Sequence, residues 1–175
     1  AMNFEQARFN MVEQQIRPWN VLDQDVLDLL LEMRREDFVP EAYRNLAFVD
    51  MEIPLGHGEV MLTPKMEARI VQELAIKKTD KVLEVGTGSG YMTALLAHQA
   101  KHVYSIEIVP ELKERAAEKL RAHSIHNVTL ELGDAARGWD RHGFYDVIVL
   151  TGSVPVLPEA FFASLNRGGR MFAVV

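Results

Sequence analysis

The segment VLEVGTGSGY places Gly86, Gly88 and Gly90 at G-x-G-x-G spacing between an apolar run and a helical pattern. Glycines at such a turn let the backbone come close to a ligand, and open α/β sheets bind their ligands at this point. A pyrophosphate-binding turn reads G-x-G-x-x-G, and Tyr91 stands where its last glycine belongs. The spacing therefore suits a nucleoside cofactor without a pyrophosphate; a purely structural turn is the alternative. Glu107 lies at the end of the next β-rich run, one residue before the last of VYSIEI and 21 residues beyond Gly86. An acid there can accept from both hydroxyls of a ribose. Asp134, in LELGDAARGW, follows a third such run, where a carboxylate can accept from an adenine amino group. Each acid also has a plainer use, Glu107 as a solvated strand-end charge and Asp134 in an Asx turn.

Other chemistries find less support. The chain has no cysteine, which removes disulfides, thiolate nucleophiles and Cys-built metal sites. His98 and His102, and His123 and His126, straddle or follow helix ends without a third ligand at metal spacing, so no metal is expected. Ser153 in LTGSVP is not within G-x-S-x-G, which argues against a hydrolase. A nicotinamide oxidoreductase would need the other glycine spacing.

The elements that must position these residues are readable from Lys81 onward. KVLEVG, HVYSIEI, VTLEL, YDVIVLT and RMFAVV are short apolar runs, and helical patterns lie in YMTALLAHQA, PELKERAAEKLRAH and LPEAFFASL. Continuous apolar strands alternating with helices predict a mostly parallel sheet covered by helices on both faces. Residues 1–80 read as a helical extension packed on an 81–175 core, effectively a single domain. In it Val26, Leu29, Leu30 and Met33 recur at helical spacing after the cap Asp23. A second helix is expected from Pro64 to about Ala75, capped by Thr63, with Met66, Ile70, Val71 and Leu74 as its apolar face.

At 175 residues the chain has the size of one ordinary domain, and its formal net charge of −6 disfavours nucleic acid as a partner. No apolar run reaches the ~20 residues of a spanning helix, and AMNFEQARFN lacks a signal-peptide core, so the expectation is a cytoplasmic protein with no membrane partner. Ala1 reads as a residue left by an expression tag, and the strand-like end at Val175 as a place where the natural chain continues.

The ordered set of Gly-rich turn, Glu107 and Asp134 resembles the Rossmann-like, S-adenosylmethionine-dependent methyltransferases over residues 81–175. That resemblance implies S-adenosyl-L-methionine as cofactor, with S-adenosyl-L-homocysteine as product. It places cofactor contacts on Glu84, Gly86, Thr87, Gly88, Ser89, Gly90, Glu107, Ile108, Asp134, Ala135 and Thr151. It also implies a closing C-terminal hairpin, which this chain lacks.

The front of the chain narrows the family. Arg35, Glu36, Phe38 and Val39, the IPLGHG turn, then Pro64, Ala68 and Arg69, together with VLEVGTGSGY, GDAARGW, YDVIVLTG and LNRGGR, resemble the protein-L-isoaspartate O-methyltransferases in order. The resemblance implies methyl transfer to the carboxylate of isoaspartyl residues in damaged proteins or peptides, with Gly56, His57, Gly58, Leu62 and Thr63 on the acceptor side. His57 has the alternative of a surface turn residue. One departure stands out: aligned on Pro64, Leu62 occupies the position of the family's serine, and Thr63, also the helix cap, is the nearest catalytic hydroxyl. Leu62 keeps two other readings open, a different small-molecule acceptor and a catalytically silent cofactor-binding protein.

Overall fold

The computed structural model describes residues 2–152 and 155–174, so Ala1, Ser153, Val154 and Val175 lie outside the described residues. The chain opens with helix α1 (Phe4–Met11), capped by Asn3, which runs on through a π turn and a 3-10 turn to Asn20. Helix α2 (Gln24–Glu32) begins where the Asp23 carboxylate accepts from the amides of Asp25 and Val26. That cap satisfies two of the amides a helix start leaves free. Val26, Leu27, Leu29 and Leu30 are buried, the face that the 3.6-residue period sets.

Two 3-10 turns lead to an antiparallel hairpin inside the segment read as helical: β1 (Ile53–Gly56) and β2 (Glu59–Met61). Its tip, Gly56-His57-Gly58, holds three successive residues at positive φ, 83°, 57° and 75°. Glycine accepts that conformation without strain at two of the three, which explains why so short a hairpin closes here. Helix α3 (Pro64–Leu74) follows, with Thr63 as its cap and Pro64 in the first turn. Its buried face includes Ala68, Ile70, Val71 and Leu74 but not Met66, which is exposed; Glu67 takes the inward place instead.

From here strands and helices alternate: β3 (Lys81–Val85), α4 (Tyr91–Gln99), β4 (His102–Glu107), α5 (Pro110–Ala122), β5 (Val128–Leu132), β6 (Tyr145–Leu150) and β7 (Leu165–Ala173). All neighbouring strands pair in parallel, in the order β5-β4-β3-β6-β7. The central strands β3 and β6 are buried along most of their length because both faces of the sheet are covered there, whereas the edge strands β5 and β7 are half-buried or exposed. On one face a single apolar cluster joins Ile16, Leu30 and Ile70 of the front segment to Val82, Leu95, Leu112 and Val147 of the α/β part. Helix α4 is buried from Tyr91 to Ala97, which accounts for its lack of a polar stripe. The other face carries Leu83, Val85, Ile106, Ile148 and Leu150 packed with Phe161. Its helical cover is a 3-10 segment, Pro158–Ser164, in place of the expected α-helix. No helix among the described residues is long and apolar enough to cross a membrane.

Candidate active site

The strand order reverses between β3 and β6, and at the carboxyl ends of these strands lies a cleft, where open α/β sheets gather their ligands. Val85 and Gly86 line it from β3, Ile106, Glu107 and Ile108 from β4, and Gly133 to Ala136 from the end of β5. Gly152 and Val156 follow β6, and Glu59 closes the cleft from the hairpin.

The glycine turn is shaped by contacts a side chain would block. Gly86 has φ 101°, and a Cβ on it would lie 2.4 Å from Cα of Gly152. Gly90 has φ 87°, and a Cβ there would come within 3.1 Å of Ala116. Gly88 donates its amide to Glu107 Oε1 at 2.8 Å, while Oε2 accepts from the amide of Val109 at 2.9 Å. Glu107 is thus fixed through both oxygens, and each keeps a lone pair for a further donor. Asp134 accepts from the amide of Ala136 at 2.9 Å through Oδ1, so it forms the Asx turn and lines the cleft as well.

Not every sequence-based assignment falls in the cleft. Glu84, Thr87 and Ser89 spend their side chains beneath the glycine turn. Thr93 and Ser105 donate to Glu84 Oε1 at 2.5 and 2.7 Å, and the Thr87 hydroxyl donates in turn to that of Ser105 at 2.6 Å. The reason is strand alternation: with Val85 toward the cleft, Glu84 must face α4. Burial pushes its carboxyl up to about 7, against the pull of those two hydroxyls. Ser89 accepts from the amide of Tyr91. Gly88, Gly90 and Thr151 flank the lining; the amide of Thr151 donates to Val85.

On the hairpin side, the imidazole Nε2 of His57 meets Glu111 Oε2 at 3.0 Å across to the start of α5, and both side chains are solvent-exposed. Leu62 is half-buried against the core, and its carbonyl accepts from Arg35. Thr63 Oγ1 accepts from the amide of Met66 at 3.3 Å, as a helix cap does. His57, Gly58, Leu62 and Thr63 border the hairpin without lining the cleft.

Sequence reasoning missed Glu59, Val85, Ile106, Gly133, Ala136 and Val156 as lining residues. Glu59 owes its place to the pleat: with Met61 facing inward, the period of two puts Glu59 inward and Val60 outward, over a strand too short for the sequence to show it. Burial, then repulsion from Glu107, raises the Glu59 pKa, and His57 pulls it the other way.

The family model for protein-L-isoaspartate(D-aspartate) O-methyltransferases matches residues 6–175. The chain belongs to this family. A protein-L-isoaspartate O-methyltransferase of Petrotoga mobilis is 37% identical over 171 residues, covering 97% of this chain and 80% of that protein. A solved protein-L-isoaspartate O-methyltransferase superposes with TM-score 0.75 at 25% identity, covering 98% of this chain. This chain spans 55% of that one's length. A Plasmodium falciparum structure described as a β-aspartate methyltransferase, in complex with S-adenosyl-L-homocysteine, superposes at TM-score 0.73 with 99% of this chain and 84% of that chain covered. At 21% identity that likeness concerns the fold.

The donor set fits an adenosyl ligand. Glu107 has two lone pairs to offer, the backbone at Gly86 is bare, and Ile108 and Ala135 supply apolar surface for a flat base.

Proposed function

We propose that this chain transfers a methyl group from S-adenosyl-L-methionine to the carboxylate of isoaspartyl residues in proteins or peptides. The single observation that carries the reading is the cleft at the ends of β3, β4 and β6, with Gly86 and Glu107 in it, in a chain of this family. In this reading Gly86 lets the backbone approach the methionine part, Glu107 accepts from the ribose hydroxyls, and Asp134, Ala135 and Ile108 hold the adenine. Gly88, Gly90 and Thr151 support these from the edge of the cleft. Residues 2–80 act as the acceptor-side extension of the 81–174 core, and the cytoplasm is the fitting location.

When bound, the cofactor supplies a methyl group on an electrophilic sulfonium. The acceptor carboxylate, with a pKa near ~4, is already ionised at neutral pH and asks no base of the protein. The work of the chain is therefore to hold the acceptor oxygen in line, an orientation effect of roughly 7 to 11 kcal/mol, and to exclude water. Arg35 serves this by fixing the Leu62 carbonyl at 2.9 Å, where the hairpin passes into α3. His57, Gly58 and Thr63 would border the acceptor.

A second reading rests on Leu62, whose side chain offers no donor: the same transfer, to a small-molecule acceptor. The deciding experiment measures labelled methyl transfer to an isoaspartyl peptide and to the matching aspartyl peptide. Transfer to the isoaspartyl form alone supports repair; cofactor binding with no peptide ester formed supports the second reading.

A further inference from the structure

The hairpin delivers a carboxylate to the cleft that the reaction outlined above does not use. Glu59 is only 7% exposed, while its neighbour Val60 is 39% exposed, an inversion of the usual order that the strand pleat imposes. Three acids line the cleft: Glu59, Glu107 and Asp134. Both oxygens of Glu107 accept backbone amides, and Asp134 accepts from Ala136. The Glu59 carboxylate has neither a hydrogen-bond nor an ion-pair partner among the described residues. Neither of its oxygens is among the fully buried, unpartnered atoms, so the stem is buried and the charged end opens onto the cleft. Repulsion from Glu107 adds to the effect of burial on Glu59, and the exposed ring of His57 acts in the opposite sense.

A ligand entering the cleft would meet this unpartnered carboxylate, and its chemistry is constrained. Ribose hydroxyls can be met by the free lone pairs of Glu107. What remains unmet is positive charge. Resting on the cofactor reading above, we propose that Glu59 is the residue by which the cleft prefers the cationic sulfonium donor to its neutral thioether product. In the transfer the S–CH3 bond breaks and an O–CH3 bond forms. The sulfonium becomes a thioether, and the acceptor carboxylate becomes a neutral ester. The positive charge facing Glu59 disappears in the same step, so the carboxylate holds the donor and loosens its hold on the product. Charge attraction of this kind acts through space and requires no single hydrogen bond.

The test is equilibrium binding by calorimetry at pH 7.5, on the whole chain. The ligands are S-adenosyl-L-methionine, S-adenosyl-L-homocysteine and sinefungin, which carries a protonated amine in place of the methylsulfonium. The wild type is expected to bind both cations more tightly than the homocysteine. In Glu59→Gln that preference falls roughly tenfold, the order expected for one charge at cleft range. The loss should come from the two cations, with homocysteine affinity nearly unchanged. Equal weakening of all three ligands, the mark of a bond to the ribose or to the α-ammonium that all three carry, overturns the inference and leaves the proposed function standing, as does an unchanged preference. Failure of the wild type to bind any of the three overturns both. Glu59→Met, neutral and of similar length, replaces Glu59→Gln should the latter not fold.

Discussion

Arg35 is wholly buried and donates to the carbonyl oxygen of Leu62 at 2.9 Å while pairing with Glu67 on α3 at the same distance. It also donates to the carbonyl of Ala47, and its guanidinium lies 5.3 Å from the centre of the Tyr91 ring. One side chain from the front of the chain thereby sets the point at which the hairpin passes into α3. Replacing it with Met should strand Glu67 as a buried, unpaired acid, at a cost of about 3 to 5 kcal/mol when ionised. Burial already lifts the Glu67 carboxyl to about 7 despite Arg35, so the loss should shrink toward pH 5, where the acid is neutral. Urea unfolding of Arg35→Met at pH 5 and pH 8 measures both values; an equal loss at the two would contradict this account.

Glu84 carries a second pH effect. Its folded pKa of about 7 lies above the ordinary value, so the native state holds the proton more tightly than the unfolded chain. The associated stability is fully present below about pH 4.5 and is lost as pH rises through about 7, a change of roughly 3 kcal/mol. Glu67 titrates with the same sign in the same window. Glu84→Gln keeps a carbonyl for Thr93 and Ser105 and should remove about half of the slope in a denaturation series from pH 4.5 to 8.

The backbone contact between Gly86 and Gly152 predicts an asymmetry. An Ala at 86 meets Cα of Gly152 at 2.4 Å with φ at 101°, whereas an Ala at 152 meets Cα of Gly86 at 3.2 Å. Gly86→Ala should abolish cofactor binding or folding, and Gly152→Ala should weaken binding with the fold intact. Circular dichroism and calorimetry on the pair distinguish them.

Thr63 and Leu62 separate capping from catalysis. Thr63→Ala should cost about 1 kcal/mol through the lost cap to Met66, with Thr63→Ser restoring it. Leu62→Ser, which supplies the hydroxyl that the family resemblance leads one to look for, should raise transfer to an isoaspartyl peptide about tenfold, the worth of one hydrogen bond. Its stability cost should stay near 1 to 2 kcal/mol, because Leu62 is only half-buried. A rate unmoved by Leu62→Ser would favour another acceptor.

How legible all this was depends on the physical scale of each signal. The parallel strands were readable because a strand buried on both faces is apolar at every position, as Val147 to Leu150 are. Asp23 and Thr63 were readable because a cap is a local event. The hairpin at 53–61 was not: its strands are four and three residues long, too short for a period to register, and its tip rests on three left-handed residues. Glu59 escaped with it, since an acid beside an exposed valine looks like surface until the pleat is known. Glu84 misled for the opposite reason. Adjacent to the glycine turn in sequence, it is carried to the far side of the strand by one step of alternation.

The apolar cluster that runs without a break from Ile16 and Leu30 into Val82 and Val147 ties the two ends of the chain's work to one fate. Carriers of a weakened residue in the front helices would be expected to show less protein, culled as it opens, rather than a poorer catalyst. A genetic screen for lost activity would then return positions that touch neither ligand, and their phenotype would be one of dosage.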